Sequence, residues 1–225
     1  MGRNVLISGA SHGIGAATAI AFAKDGCNVG INYHNNRAGA EETAAECRKY
    51  GVDAQIYCAD IGCREQAVGM MRDFIEHFGT VDVLINNAGV SGPTALVVET
   101  REGRPEYTPE DFSKVLATNL TGTFMFCQEA ARQMIKQNAT NGGKGGKIII
   151  TASVGGFIGG KGVVGYGASK AGCLSLARTL ANNFGRENIT VNCICPGYVV
   201  TPLNEEFFVD KDGNFTDYYK KQSKS

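Results

Sequence analysis

The stretch that most limits what this chain can become lies near its start. Residues 4–8 (Asn-Val-Leu-Ile-Ser) form a short apolar run, Gly9, Gly13 and Gly15 follow, and an alanine-rich segment continues to about Asp25. A strand that feeds a glycine turn and then a helix N-terminus is a phosphate-binding design. Backbone N–H groups and the helix dipole face the anion, and glycine lets the backbone come close. Gly9, Ser11, His12, Gly13, Ile14 and Gly15 are therefore candidate contacts to an anionic cofactor. Such a unit needs a parallel neighbour strand and a crossover helix, which points to an α/β sheet.

The rest of the chain supplies both. Further strands are expected at 28–33, 53–58, 81–85, 147–151 and 190–195, with helices at 37–50, 63–78, about 112–136 and 166–184. Thr108-Pro109-Glu110-Asp111 is a helix start, with a capping Thr, Pro in the first turn and acids behind it. Six strands alternating with helices imply a single Rossmann-like domain over 1–225: a doubly wound parallel sheet, three layers (α/β/α), strand order 3-2-1-4-5-6. Ligands of such sheets bind at the carboxyl strand ends, at the switch between strands one and four. At the end of strand two, NAD enzymes of this general fold carry an acid for the adenosine ribose 2′-hydroxyl. This chain has Asn-Tyr-His-Asn-Asn-Arg at 32–37 and no carboxylate. Asn35 and Arg37 can donate to a 2′-phosphate, so the expectation leans to NADP over NAD. Arg37 reads equally as a first-turn solvent residue.

A second stretch carries chemistry. Residues 153–170 read Ser-Val-Gly-Gly-Phe-Ile-Gly-Gly-Lys-Gly-Val-Val-Gly-Tyr-Gly-Ala-Ser-Lys. On a helix Tyr166 and Lys170 share one face. A free phenol has a pKa of about 10 and is a poor base at neutral pH. An ammonium one turn away favours the phenolate, and a tyrosine so placed can protonate a carbonyl oxygen or deprotonate an alcohol. Ser153 closes a strand and stands at a carboxyl strand end.

Gly-Ala-Ser-His-Gly-Ile-Gly at 9–15, Asn-Asn-Ala-Gly at 86–89, Asn119, Ser153 with Tyr166 and Lys170, and Pro-Gly-Tyr-Val-Val-Thr at 196–201 stand in this order. Together they resemble the short-chain dehydrogenase/reductase family, in its classical subgroup, over nearly the whole chain. The resemblance implies an NAD(P)-dependent oxidoreductase passing hydride between nicotinamide and a carbonyl or secondary alcohol. It implies Tyr166 as general acid or base, Lys170 as its support and a holder of the nicotinamide ribose, Ser153 on the substrate oxygen, and Asn119 at a helix distortion, holding a water in a proton relay. It implies cofactor contacts at Asp60 and Ile61 (adenine), at Asn87, Ala88 and Gly89 (ribose side), and at Pro196, Gly197, Val199 and Thr201 (nicotinamide). Asp60 also reads as a helix N-cap. A 3-oxoacyl-type carbonyl reductase is the leading expectation. An NAD-using sugar or polyol dehydrogenase and a non-catalytic cofactor-binding sensor are the alternatives. An acyl-carrier substrate would want basic residues near the mouth, with Arg101, Arg104 and Lys161 as candidates. Residues 197–219 are expected to form a mobile cover, with Phe207, Phe208, Tyr218 and Tyr219 as contacts.

Composition removes other classes. Lys+Arg and Asp+Glu number 22 each in 225 residues, so there is no electrostatic ground for nucleic acid or an anionic membrane as partner. No apolar run is long enough to span a bilayer, and no export signal opens the sequence, so a cytoplasmic protein is expected. The 8 cysteines include no C-x-x-C pair and are read as reduced thiols, with no metal site. Small apolar faces around Ala130, Ala131, Ala171 and Gly172 suit a homo-oligomer through the helices at 112–136 and 166–184, although core burial would look the same. The family continues with a seventh strand; this sequence stops at Ser225, so either the chain is partial or strand six is an exposed edge.

Overall fold

The computed structural model describes residues 2–93, 95, 97, 106–159, 163–201, 205–217 and 220. Its core is the strand–turn–helix unit. Strand β1 (Asn4–Ile7) is wholly buried and helix α1 (Gly13–Lys24) follows the glycine turn. Next come β2 (Asn28–Tyr33), α2 (Arg37–Arg48), β3 (Ala54–Cys58), α3 (Arg64–Phe78) and β4 (Val83–Asn86). Helix α4 (Pro109–Leu116) opens on a capping box in which Thr108 and Asp111 satisfy each other's backbone N–H groups. It passes through a π-turn (Ala117–Gly122) into α5 (Thr123–Asn138). The chain closes with β5 (Gly146–Thr151), α6 (Gly155–Ile158), α7 (Val164–Phe184), β6 (Ile189–Ile194) and α8 (Glu205–Phe208).

All strands pair in parallel, in the order β3-β2-β1-β4-β5-β6. Alternation along the strands divides the core in two. Val5, Ile7, Val29, Ile31, Val83 and Ile85 pack one sheet face against Ala19 and Ala23 of α1 and Ala40, Ala44 and Cys47 of α2. Leu6, Leu84, Ile148 and Ile150 pack the other against α3, α5 and α7, around Phe74, Phe126 and Met134. Burying apolar area on both faces is what makes parallel strands read as continuous apolar runs. Gly30 shows how tight this packing is: a Cβ there would stand 2.6 Å from the Phe74 ring.

Element boundaries differ from expectation by a residue or two, and two features were not expected. Gly155–Ile158 forms a short helix although two of its residues are glycine. Val164 and Gly165, before Tyr166, already belong to α7. Among the described residues no helix is long and apolar enough to cross a membrane, and all eight cysteines are free.

Candidate active site

The strand order reverses at β1, and the loops after β1 and β4 part there into a cleft of about 540 Å³. Two side-chain amides and one buried hydroxyl hold its floor. Ser8 Oγ accepts from the backbone N–H groups of Asn87 and Ala88, at 3.0 Å each. Asn87 Nδ2 donates back to the carbonyls of Ser8 (3.2 Å) and Gly9 (3.0 Å). Asn32, 2% exposed, accepts from Gly9 N and donates to the Ala59 carbonyl, so one side chain ties the turn after β1 to the end of β3. Sequence reasoning missed Asn32, whose signal was a polar residue within an apolar strand.

The glycine turn fits a dinucleotide phosphate. Gly9 and Gly13 have φ of +62° and +57°, and a Cβ on Gly9 would lie 2.7 Å from Ala88 Cα. Helix α1 has no side-chain cap and no acid in its first turn, which leaves its N-terminal N–H groups to an anion. Gly9, Ser11, His12, Gly13 and Ile14 line the cleft. Gly15 does not. It lies beneath the turn, where a Cβ would stand 2.2 Å from the Gly9 carbonyl oxygen, so its part is close packing of helix on turn.

At the end of the cleft beside β2 and β3, where adenosine was expected, Asn35, Asp60 and Ile61 form part of the lining, and His34 and Asn36 join them. Arg37 follows the second of its two readings, that of a first-turn solvent residue. Its side chain is 74% exposed, pairs with Glu41 at 3.6 Å and is not part of the lining. The first helical position of α2 aims it along the helix surface, while Asn36 caps the helix by accepting from Gly39 N at 3.0 Å. Asp60 is not the cap of α3. Its carboxylate accepts from Gly62 N in a tight turn, and the N-cap position belongs to Cys63.

At the other end, Ser153, Tyr166 and Lys170 converge on the lining, with Ala88, Gly89, Pro196, Gly197, Val199 and Thr201 beside them. Ser153 and Tyr166 flank Gly155, where a Cβ would be 3.4 Å from Ser153 Oγ and 3.5 Å from the Tyr166 ring. Lys170 is 4% exposed. Its Nζ donates to the Thr151 carbonyl at 2.7 Å and lies 5.7 Å from the centre of the Tyr166 ring. Burial pulls this ammonium below the usual lysine range; the thiols of Cys173, Cys193 and Cys195 act the other way. Asn119 is fully buried in the π-turn, behind the lining rather than in it. Its side chain accepts from Val90 N and donates to the Val90 carbonyl and Ser169 Oγ. Its own carbonyl accepts from Thr123 Oγ1 and Cys173 Sγ. A π-turn widens the helix and frees such groups for side-chain partners.

Sequence reasoning also missed Lys114, Thr118 and Thr151 on the cleft wall. Each had a readable signal. Thr151 precedes Ser153 by the two-residue period of a strand, and Lys114 precedes Thr118 by one helical turn. Arg101, Arg104, Lys161, Tyr218, Tyr219 and the Phe207 side chain lie outside the described residues. Phe208 is 3% exposed and packs edge-to-face on Tyr198, centroids 5.6 Å apart.

A family model for short chain dehydrogenase matches residues 3–212, and the chain belongs to this family. It is 33% identical over 205 residues to 3-oxoacyl-(acyl-carrier-protein) reductase FabG of Staphylococcus aureus, across 91% of this chain and 78% of that one. A 3-oxoacyl-(acyl-carrier-protein) reductase of Synechocystis is 33% identical over 200 residues, across 89% of this chain and 75% of its own length. Among solved structures, NAD+-bound xylitol dehydrogenase superposes with a TM-score of 0.78 at 36% identity, over 87% of this chain and 70% of that one. A short chain dehydrogenase of Burkholderia cenocepacia in complex with NADP gives 0.80 at 30%, over 90% and 77%. The chain is thus a nicotinamide-dependent oxidoreductase acting on a carbonyl or the corresponding alcohol.

Proposed function

We propose that the chain is an NADPH-preferring carbonyl reductase for 3-oxoacyl-type substrates, working through Ser153, Tyr166 and Lys170. The observation that carries this is their convergence on one wall of a glycine-lined cleft. The cofactor supplies hydride to the carbonyl carbon; the protein orients, shields and moves the proton. The α1 N-terminus and the turn at Gly9 and Gly13 hold its phosphates. Asn87, Ala88, Gly89 and Lys170 border the ribose next to the nicotinamide, and Pro196, Gly197, Val199 and Thr201 border the ring. Ser153 Oγ donates to the substrate oxygen and polarises it. Tyr166 protonates that oxygen as it gains charge. The Lys170 charge faces the negative ring left behind, in surroundings where water screens little. Asn119 acts at one remove, by fixing Val90 and Ser169 around the catalytic helix. Tyr198 and Phe208, packed on each other, belong to the segment that covers the substrate, and the helices α4, α5 and α7 carry a homo-oligomer contact.

The NADPH preference rests on the adenosine end. His34, Asn35 and Asn36 follow β2 without a carboxylate, so no acid in that loop repels a 2′-phosphate. The 3-oxoacyl reading rests on the two reductases at 33% identity. A second reading, NAD-dependent oxidation of a polyol, is supported by the likeness to xylitol dehydrogenase at 36% identity. Fluorescence titration with NADPH and NADH separates them, followed by turnover of an acetoacetyl thioester and of xylitol. Tighter NADPH binding with thioester reduction is expected. Tighter NADH binding with xylitol oxidation would overturn the reading in favour of the second.

A further inference from the structure

Two nucleophiles beside the site have no part in the proposed reaction. Cys193 on β6 and Cys195 just beyond it are two residues apart, so they share one strand face. Both pack against the core on the α7 side, while Ile194 between them points away and is 44% exposed. The Cys193 thiol leans along the chain toward Cys195, with its Sγ 3.9 Å from the Ile194 carbonyl oxygen. Both residues are half-buried, and both thiols are free.

The pair stands where a bend in the chain reaches Ser153. Two backbone hydrogen bonds bracket that serine: Ala152 N donates to the Ile194 carbonyl (2.8 Å) and Val154 N to the Pro196 carbonyl (3.1 Å). The two acceptors are the neighbours of Cys195. Pro196 and Gly197, next along, line the cleft. In a strand the Cα atoms of residues i and i+2 are about 6.5 Å apart, at the long end of what a disulfide spans, and the Cβ atoms would have to close to about 3.8 Å. Joining the two sulfurs therefore bends the chain at Ile194 and pulls on both bonds that seat Ser153.

We propose that Cys193 and Cys195 form a thiol modification site, which a peroxide converts to a disulfide that unseats Ser153 and stops turnover. The loss of turnover rests on the reading that places Ser153 in the catalytic set; the pairing of the sulfurs does not. One thiolate attacks an oxygen of hydrogen peroxide, the O–O bond breaks, and a sulfenic acid and one water form. The second thiol then displaces the sulfenic hydroxyl, which leaves as a second water, and the S–S bond forms. The two thiols give up two electrons and two protons, and the peroxide takes up both. Burial pushes the Cys193 thiol up to about 11, so the reaction is slow at neutral pH and calls for millimolar peroxide. A disulfide that bends its own strand is readily reduced, which makes the change reversible.

The test treats the whole chain with millimolar hydrogen peroxide and then with dithiothreitol, beside Cys193→Ala, Cys195→Ala and, as a control at an exposed thiol elsewhere, Cys58→Ala. Turnover of an acetoacetyl thioester with NADPH is read together with the mass of the peptide that carries residues 193 and 195. In the parent and in Cys58→Ala that peptide loses about 2 Da, turnover falls about tenfold or more, and dithiothreitol restores both. Cys193→Ala and Cys195→Ala form no such bond and keep most of their own untreated turnover. A parent peptide that forms no disulfide, or a disulfide formed with turnover intact, overturns the proposal. So does an equal loss in Cys193→Ala and Cys195→Ala, which would place the damage at other thiols. Failure of the reductase reading looks different: the untreated parent reduces no thioester. Turnover is then read as xylitol oxidation with NAD, and the same losses and recoveries are expected.

Discussion

The two ends of the cleft are built on opposite terms. At the nicotinamide end Asn119 is 0% exposed and Lys170 4%, and each hydrogen-bonds to fixed backbone groups. At the adenosine end His34, Asn35 and Asn36 are exposed and stand on a loop between β2 and α2. The difference matches what each end would do in the proposed reaction. Proton transfer needs groups held within tenths of an ångström in surroundings that screen charge weakly. Choosing between two cofactors needs a charge or its absence at the rim, where substitution disturbs no core. Changes at the buried end should therefore cost turnover and alter stability. Changes at the exposed end should alter selectivity alone.

The largest effect expected is at Tyr166. Tyr166→Phe keeps ring and packing and removes the acid, so turnover falls roughly 10²–10⁴-fold while NADPH affinity stays within about twofold. Retention of a third or more of parental turnover would mean that another group donates the proton. Gly15→Val tests the packing beneath the turn. Its Cβ would stand 2.2 Å from the Gly9 carbonyl oxygen, so the turn must shift. A loss of about 2–3 kcal/mol of stability is expected, measured by urea unfolding, together with NADPH binding too weak to titrate.

Lys170→Met separates stability from activity. Among the described residues the buried ammonium has no carboxylate partner, and its pKa lies below the ordinary lysine value. Between the folded and unfolded pKa values the unfolded chain binds more protons, so this group makes the parent more stable as pH rises through that window. Met removes the dependence. The variant should be inactive yet more stable than the parent by about 1 kcal/mol at neutral pH. That advantage should shrink toward about pH 10, where the lysine is losing its proton even in the unfolded chain. A variant that is less stable at pH 7 would show that the bond to the Thr151 carbonyl outweighs the burial cost.

The same contrast explains how far the sequence could be read. Strand order, the glycine turn and the Ser153–Tyr166–Lys170 group were legible because local patterns carry them: apolar runs, glycine spacing and one helical turn between tyrosine and lysine. The π-turn is not a local pattern. Asn119 hinted at it as a poor mid-helix residue, but its partners Val90 and Ser169 are distant in sequence. Asn32 and Thr151 escaped because they sit in strands that otherwise read as apolar. Arg37 was left between two readings for the opposite reason. Its charge suits a phosphate, but whether an exposed arginine turns toward the cleft or along its helix depends on χ angles that no sequence pattern specifies.

Two substitutions at the exposed end complete the series. Asn35→Asp brings a carboxylate to the rim, so NADPH affinity should drop about tenfold while NADH affinity is unchanged or slightly improved. Arg37→Ala should do least of all. The guanidinium lies 3.6 Å from Glu41, one helical turn along, and its side chain is 74% exposed. Such a pair contributes about 0.3–0.5 kcal/mol in water, and less in salt. The ratio of NADPH to NADH affinity should therefore stay within about twofold of the parent's, since the charge removed is already paired and turned away. A tenfold fall in NADPH affinity alone would show that Arg37 leaves Glu41 when the 2′-phosphate arrives. In that case the exposed end adapts to its ligand, while the buried end is built in advance for its own.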